Sequence, residues 1–355
     1  MHSLRQDLLT LMGLRQARIS GRRQNRCCPT DAPVPVHTIR MEAAAVGTVT
    51  GSVAPNNQPM VRLVVIALLN LLVSACSRTE FAYRNADWLL EYYVRRTVDA
   101  SAPQREDWRP VLASTLQRHR EEELPLVIAY LDLAGRIVRQ ADSSIGAACL
   151  LDGALLLSQR HARLAVDLSV PLLTTLDAAQ VRHLAEYRAQ RQQDAVEQYL
   201  DPDPERREAS REKRFIDRIE TWTGKLNENQ RQQISEALKR IPDLSAPWLA
   251  YRAQQTDRLL GMLEAGTSAR ALRRYLNDWW VQQDGRSAEY RQLWRIAKYE
   301  FVLLLDELGT TLTHKQRARF EDRLGALRKD LASFLSPAQP PVSLPFGPVC
   351  ASAPV

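Results

Sequence analysis

The sequence predicts an all-α protein: an extended multi-helix bundle of about ten helices that follows an N-terminal export signal. Glycine is scarce, with nine between Ser77 and Ser336, so the chain lacks the residue that most often makes tight turns and bulges. Apolar residues recur at i, i+3, i+4 and i+7 through that whole stretch, the period of an amphipathic helix. No Asn-Gly or Asp-Gly pair joins two alternating runs: Asp284-Gly285 separates helical patterns and Asp152-Gly153 lies inside one, so the strongest hairpin signal is missing.

The export signal organises the rest. Met60–Cys76 reads MVRLVVIALLNLLVSAC, with Arg62 near the start, an apolar run from Leu63 to Leu72, and small residues before a cysteine. A basic flank, an apolar core and a small-residue cleavage site form a secretory signal, and the run is shorter than the roughly 20 residues that span a bilayer. Val73-Ser74-Ala75-Cys76 resembles the bacterial lipobox. That resemblance makes residues 60–75 a lipoprotein signal peptide and Cys76 an acylated first residue, anchored in the membrane through its acyl chains. Ser77 follows where inner-membrane lipoproteins often carry aspartate, so the resemblance favours the outer membrane, facing the periplasm. Translation is expected to start at Met60, with residues 1–59 an over-extended, disordered leader carrying seven arginines and three acids.

Charge then weakens as an argument. The whole chain has 48 Lys+Arg against 41 Asp+Glu; removing the leader's seven arginines and three acids leaves 41 against 38, and cleavage removes Arg62 as well. A nearly neutral mature chain lacks the concentrated basic footprint of nucleic-acid binding.

In chain order, a tether over 76–83 leads to a helix with Trp88, Leu89, Tyr92 and Tyr93. Ser101-Ala-Pro-Gln104 is a capping box, in which the serine and glutamine side chains satisfy free amides at a helix start. The helix it opens shows Trp108, Val111, Leu112, Thr115 and Leu116. Leu124-Pro125 should start or kink the next helix. Residues 145–168 are apolar nearly all round, the pattern of a central buried helix with Leu155 in its core, and Pro171 is expected to end it. Asp201-Pro-Asp-Pro204 marks a turn, and the charged stretch from Glu205 to Arg218 reads as a solvated helix. Breaks follow at Pro242, Pro247, Gly266 and Gly285. Tyr290, Trp294, Ala297, Phe301, Leu304, Leu305 and Leu308 stripe a long amphipathic helix. After Ser336 six prolines give a disordered tail over 336–355. The helical domain is therefore 84–335.

One short pattern repeats: Leu176-Asp177-Ala-Ala-Gln180, Leu226-Asn227-Glu-Asn-Gln230 and Leu312-Thr313-His-Lys-Gln316. Each is a capping box, with Asp177, Asn227 or Thr313 at the N-cap and Gln180, Gln230 or Gln316 reaching back from N3. As ordinary caps they are worth about 1 kcal/mol each. The third box also matches the Leu-Thr-x-x-Gln motif of periplasmic helical proteins of the Spy and CpxP type, which act as ATP-independent chaperones or stress adaptors. A wider resemblance, over most of 60–335, is to the bacterial lipoproteins of domain of unknown function 6279. It is carried by Cys76, Tyr83-x-Asn85-x-Asp87-Trp88-Leu89-Leu90, His119-Arg120 with Glu123-Leu124-Pro125, and Trp222-x-Gly224-x-Leu226-x-x-x-Gln230. It implies a lipid-anchored helical protein and supplies no activity.

Fingerprints for catalysis are absent: the sequence holds no GxSxG, HExxH, P-loop or GxGxxG pattern. His119 and Glu123 share a helix face at i, i+4, which a solvated salt-bridging face explains better than a metal pair; they are the best site for an alternative, enzymatic reading as a lipid-anchored hydrolase or metal-dependent enzyme. His161, His183 and His314 stand alone. No cofactor or metal is expected. The sequence has no CxxC spacing; outside the cytoplasm Cys149 and Cys350 can pair, but a buried free thiol at Cys149 is the adopted expectation. Trp279-Trp280 point about 100° apart on a helix, so one of them is the candidate for binding envelope proteins or unfolded clients, among Arg273, Arg274 and Asp278. The expected function is accordingly non-enzymatic, chaperone- or adaptor-like binding in the cell envelope.

Overall fold

A computed structural model describes residues 78–139 and 145–335. The leader 1–59, the signal peptide 60–75, Cys76 and the tail 336–355 lie outside the described residues. Within them the chain forms twelve α-helices and two π turns, and no strand. The all-α expectation holds.

Helix α1 (Arg78–Arg84) and helix α2 (Ala86–Val98) are separated by the single residue Asn85. This corrects the tether expected over 76–83: the chain is helical from Arg78, where Arg84 grips Glu80 one turn back and Tyr83 packs on Phe334 with ring centroids 4.4 Å apart. Helix α3 (Ala102–Arg118) runs through a π turn (His119–Glu123) directly into α4 (Leu124–Arg139). The π turn sits just ahead of Pro125, whose missing amide already interrupts the regular ladder, and the Leu124 amide bonds back to the His119 carbonyl.

Helix α5 (Ile145–Leu173) departs from expectation twice. Pro171 lies inside it, two residues before its end at Leu173. The helix is also not uniformly buried: Cys149, Leu157, Ala162, Val166 and Val170 face the core, while Leu155 is only half-buried. Its neighbours each cover a different stretch of it, so burial is shared along its length. Cys149 is disulfide-bonded rather than a free thiol, with its partner outside the described residues.

The remaining helices are α6 (Ala178–Tyr199), α7 (Pro204–Thr223), α8 (Glu228–Arg240), α9 (Ser245–Glu264), α10 (Ala269–Leu276), α11 (Ala288–Thr311) and α12 (His314–Ala332), with the second π turn at Asn277–Gln282. Gly266 and Gly285 adopt positive φ at breaks, as read. Pro242 falls in a break, whereas Pro247 lies in the first turn of α9, where its lost amide has no intrahelical partner to miss.

Among the described residues packing is divided among five apolar clusters. Three of them place the sites. Val98, Trp108, Leu112, Leu172 and Leu184 join α2, α3, α5 and α6. Ile216, Leu226, Ile234, Ala297 and Leu304 join α7, α8 and α11. Leu124, Ile128 and Leu131 of α4 meet Leu324 and Leu331 of α12.

Candidate functional site

Four capping boxes, not three, are built alike. Ser101, Asp177, Asn227 and Thr313 are all extended N-caps that accept from the N3 amide, and Gln104, Gln180, Gln230 and Gln316 all return a bond to the cap's own amide. The glutamines then pair. Gln104 and Gln180 exchange amide bonds of 2.9 and 2.7 Å; Gln230 and Gln316 exchange two of 2.9 Å. Each glutamine Nε2 also donates to the carbonyl two residues before its partner's N-cap: Thr175, Asp99, Thr311 and Lys225. Every donor and acceptor of Gln230 is therefore used, at 0 % exposure. Sequence reading found the first box but not its kinship, because Ala100 stands where the others have leucine. The pairing itself leaves no mark in spacing.

A second polar cluster gathers at the first π turn. His119 Nε2 lies 3.1 Å from His161 Nε2, and His119 Nδ1 lies 3.0 Å from the Tyr83 hydroxyl. His161 Nδ1 sits 2.6 Å from the Leu157 carbonyl, which can only accept, so that nitrogen carries the proton. His161 Nε2 then accepts from His119 Nε2–H, and His119 Nδ1 accepts from Tyr83. In that arrangement each imidazole nitrogen is used once. Burial, then the neighbouring His161 and Arg120, push the His119 pKa down to about 4. Burial also raises Tyr83, against the pull of the Arg120 guanidinium.

Glu123 corrects the expected solvated face. It is 3 % exposed and held bidentately by Arg160, at 2.7 and 2.8 Å. The π turn thus aims His119 at Tyr83 and His161, and aims Glu123 at the preceding residue, Arg160, on α5. His183 is elsewhere, bonded to the Arg96 carbonyl. Among the described residues no three His, Cys, Asp or Glu side chains are placed to hold a metal ion.

The tryptophan pair also separates. Trp279 is buried against Tyr275 in the cluster that α5 forms with α9 and α10, so it cannot present a binding face; Trp280 packs on that cluster and is half-buried. Its ring lies 6.0 Å from that of Trp279. Leu272, Leu276 and Trp279 recur at i, i+4 and i+7, so Trp279 continues the buried face of α10 into the π turn while Trp280, one residue on, turns away from it. Among the described residues the large apolar side chains that stand exposed are Phe81, Trp88, Tyr92, Val196, Ile296 and Tyr299.

These features define an all-helical protein closed by two glutamine clasps, with no helix among the described residues long and apolar enough to cross a membrane. The chain belongs to DUF6279, a family of unknown function, whose model matches residues 96–291, more than half of the chain. The match spans Gln104, His119, Glu123, Gln180, Gln230 and Trp279. No curated protein and no solved structure matches it.

Proposed function

We propose that this is a lipid-anchored protein of the bacterial cell envelope that works by binding other envelope proteins, or their unfolded segments, rather than by catalysis. The observation that carries the reading is the register of the chain: the helical body begins at Arg78, two residues past the lipobox cysteine Cys76. The disulfide at Cys149 suits an oxidising compartment such as the periplasm, and Ser77 favours the outer membrane. Accessible apolar groups beside charges are what adaptable binding needs; Ile296 and Tyr299 on α11, among Arg295, Lys298 and Glu300, provide them, with Trp280 the less buried member of its pair.

The test has two parts. Mass spectrometry of the N-terminal peptide should find acylated Cys76, and an unlipidated chain beginning at Met1 would remove the anchoring. A light-scattering assay with a denatured client and the chain from Ser77 onward should show aggregation suppressed near stoichiometry. That suppression should be lost on Trp280→Ala with Tyr299→Ala, and no suppression at severalfold excess would leave only a scaffold.

A second reading, an anchored hydrolase or metal-dependent enzyme using the His119/Glu123 face, draws on the contact between His119 and His161. The bidentate hold of Arg160 on Glu123 and the bond from Tyr83 to His119 weigh against it, since they occupy the lone pairs that such chemistry needs. Calorimetric titration with zinc separates the two: binding abolished by His119→Asn would favour the enzyme.

A further inference from the structure

Helices α1 and α2 act as one amphipathic rod. The Asn85 amide bonds to the Phe81 carbonyl and the Leu89 amide to the Asn85 carbonyl, so the helical pattern passes through the junction. At about 100° per residue, Leu90, Val94 and Thr97 share a face. That face is packed inward, with Leu90 and Val94 against the Trp108 cluster and Thr97 buried.

The opposite face is apolar as well. Phe81, Trp88 and Tyr92 are 59 %, 61 % and 45 % exposed and fall within about 40° of one another on the same wheel. Trp88 and Tyr92 stack with centroids 5.9 Å apart and planes at 17°, and the Arg95 guanidinium lies 5.9 Å from the Tyr92 ring. Arg95 and Arg96 flank the stripe on its two sides. Glu80, Asp87 and Glu91 lie on the flank away from Arg96, where Glu80 is neutralised by Arg84 and Glu91 by Arg109.

A single exposed aromatic needs no explanation, but three on one face, opposite a packed face, mark a surface that meets something. Tryptophan and tyrosine have an apolar body with a polar edge, which suits the boundary between lipid headgroups and acyl chains. Arginines beside them can lay their stems on apolar surface and reach phosphates with their heads. Position supplies the occupant. Arg78 is two residues from Cys76, a span of at most about 7 Å for extended chain, so acyl chains on Cys76 hold the start of α1 against the headgroups. Phe81 to Tyr92 then runs about 16 Å along the helix.

We infer that the Phe81–Trp88–Tyr92 face of α1 and α2 is a membrane-interface contact, lying flat on the bilayer with its rings at the headgroup boundary and Arg95 and Arg96 toward anionic lipid. The inference rests on the anchoring proposed above and adds to it: the acyl chains hold the protein at the membrane, and this face fixes which way the body points.

The test uses the purified full-length gene product as the cell delivers it, in vesicles of phosphatidylethanolamine and phosphatidylglycerol with brominated acyl chains that quench nearby tryptophans. Wild type is compared with Trp88→Phe, whose unchanged melting temperature verifies folding. The fluorescence assigned to Trp88 by difference should fall more than twofold in the brominated vesicles relative to unbrominated ones. Equal Trp88 emission in both vesicles overturns the inference, including the case in which a second copy or another protein covers the face. Mass spectrometry of the same sample keeps the two readings apart. With Cys76 acylated, an unquenched Trp88 removes the interface contact alone. With Cys76 unacylated the anchoring fails, and the face then stands or falls on whether vesicles still quench Trp88.

Discussion

Replacing Gln316 with alanine probes the clasp where it is best defined. Sequence alone values this glutamine as a cap worth about 1 kcal/mol. In the structure its Oε1 accepts from the Thr313 amide at 2.9 Å and from Gln230 at 2.9 Å, while its Nε2 donates to the Lys225 carbonyl at 3.0 Å and to Gln230 at 2.9 Å. Four bonds at about 1 kcal/mol net each put the loss near 4 kcal/mol. The partner atoms of Gln230, fully buried, are then left without replacement by water. For a body of this size that corresponds to a fall in melting temperature of about 10 °C. Gln104→Ala should cost clearly less, because that glutamine is only half-buried and water can take over its bonds. Thermal melts followed by far-ultraviolet circular dichroism measure both. If Gln316→Ala melted within about 2 °C of wild type, or if Gln104→Ala were the more damaging change, the clasp would not bear the load assigned to it. Replacing Gln230 and Gln316 together by leucine should cost less than the sum of the two single alanine changes, since no buried partner is then stranded.

Three further outcomes follow from the geometry. The unfolded chain takes up a proton on residue 119 near pH 6.5, whereas the folded chain refuses it down to about 4; stability is therefore full above pH 6.5 and falls as the pH drops through that window, by up to about 3 kcal/mol, and His119→Asn should flatten this part of a stability–pH curve from denaturant melts. Trp279→Ala should cost about 3–5 kcal/mol as a large buried deletion and Trp280→Ala clearly less, an order that urea unfolding would reverse if Trp280 were the core residue. If the chain is cleaved before Cys76 and acylated there, as proposed, Cys350 is the one other thiol left, and peptide mapping under non-reducing conditions should find Cys149 joined to it; a free Cys149 thiol would refute this.

How much of this was legible in the sequence depends on whether the cause was local. Helix starts were, because a box such as Asn227 to Gln230 is a contract among four consecutive residues and needs no knowledge of the rest. Gly266 and Gly285 marked real breaks for the same reason. Pro171 misled by only two residues, since the helix runs on to Leu173 before it ends. Glu123 misled because the run from Arg120 to Glu123 is charged throughout and so reads as solvated, while its partner Arg160 is 37 positions away. Which member of the Trp279-Trp280 pair lies inward was left open, because the packed face it continues is fixed by α5 and α9, far away in sequence. The meeting of His119 with His161, 42 positions away, and the embrace of paired glutamines are tertiary facts that no local pattern encodes.

The pairing of α4 with α12 bears on how the chain can be made. Each glutamine clasp closes within its own stretch, Gln104 with Gln180 and Gln230 with Gln316, so the first can form while the second is still being synthesised. The apolar face of α4, with Leu124, Ile128 and Leu131, is different: Tyr83, Leu150 and Trp222 cover part of it, but its buried partners Leu324 and Leu331 are in the last helix described. From the moment α4 emerges until the final helix arrives, roughly 190 residues later by the sequence positions of the two faces, that face lacks the cover that Leu324 and Leu331 supply. Delivery in an unfolded state, with folding deferred until the whole chain is across a membrane, would bring both faces into the same compartment together and shorten that exposure.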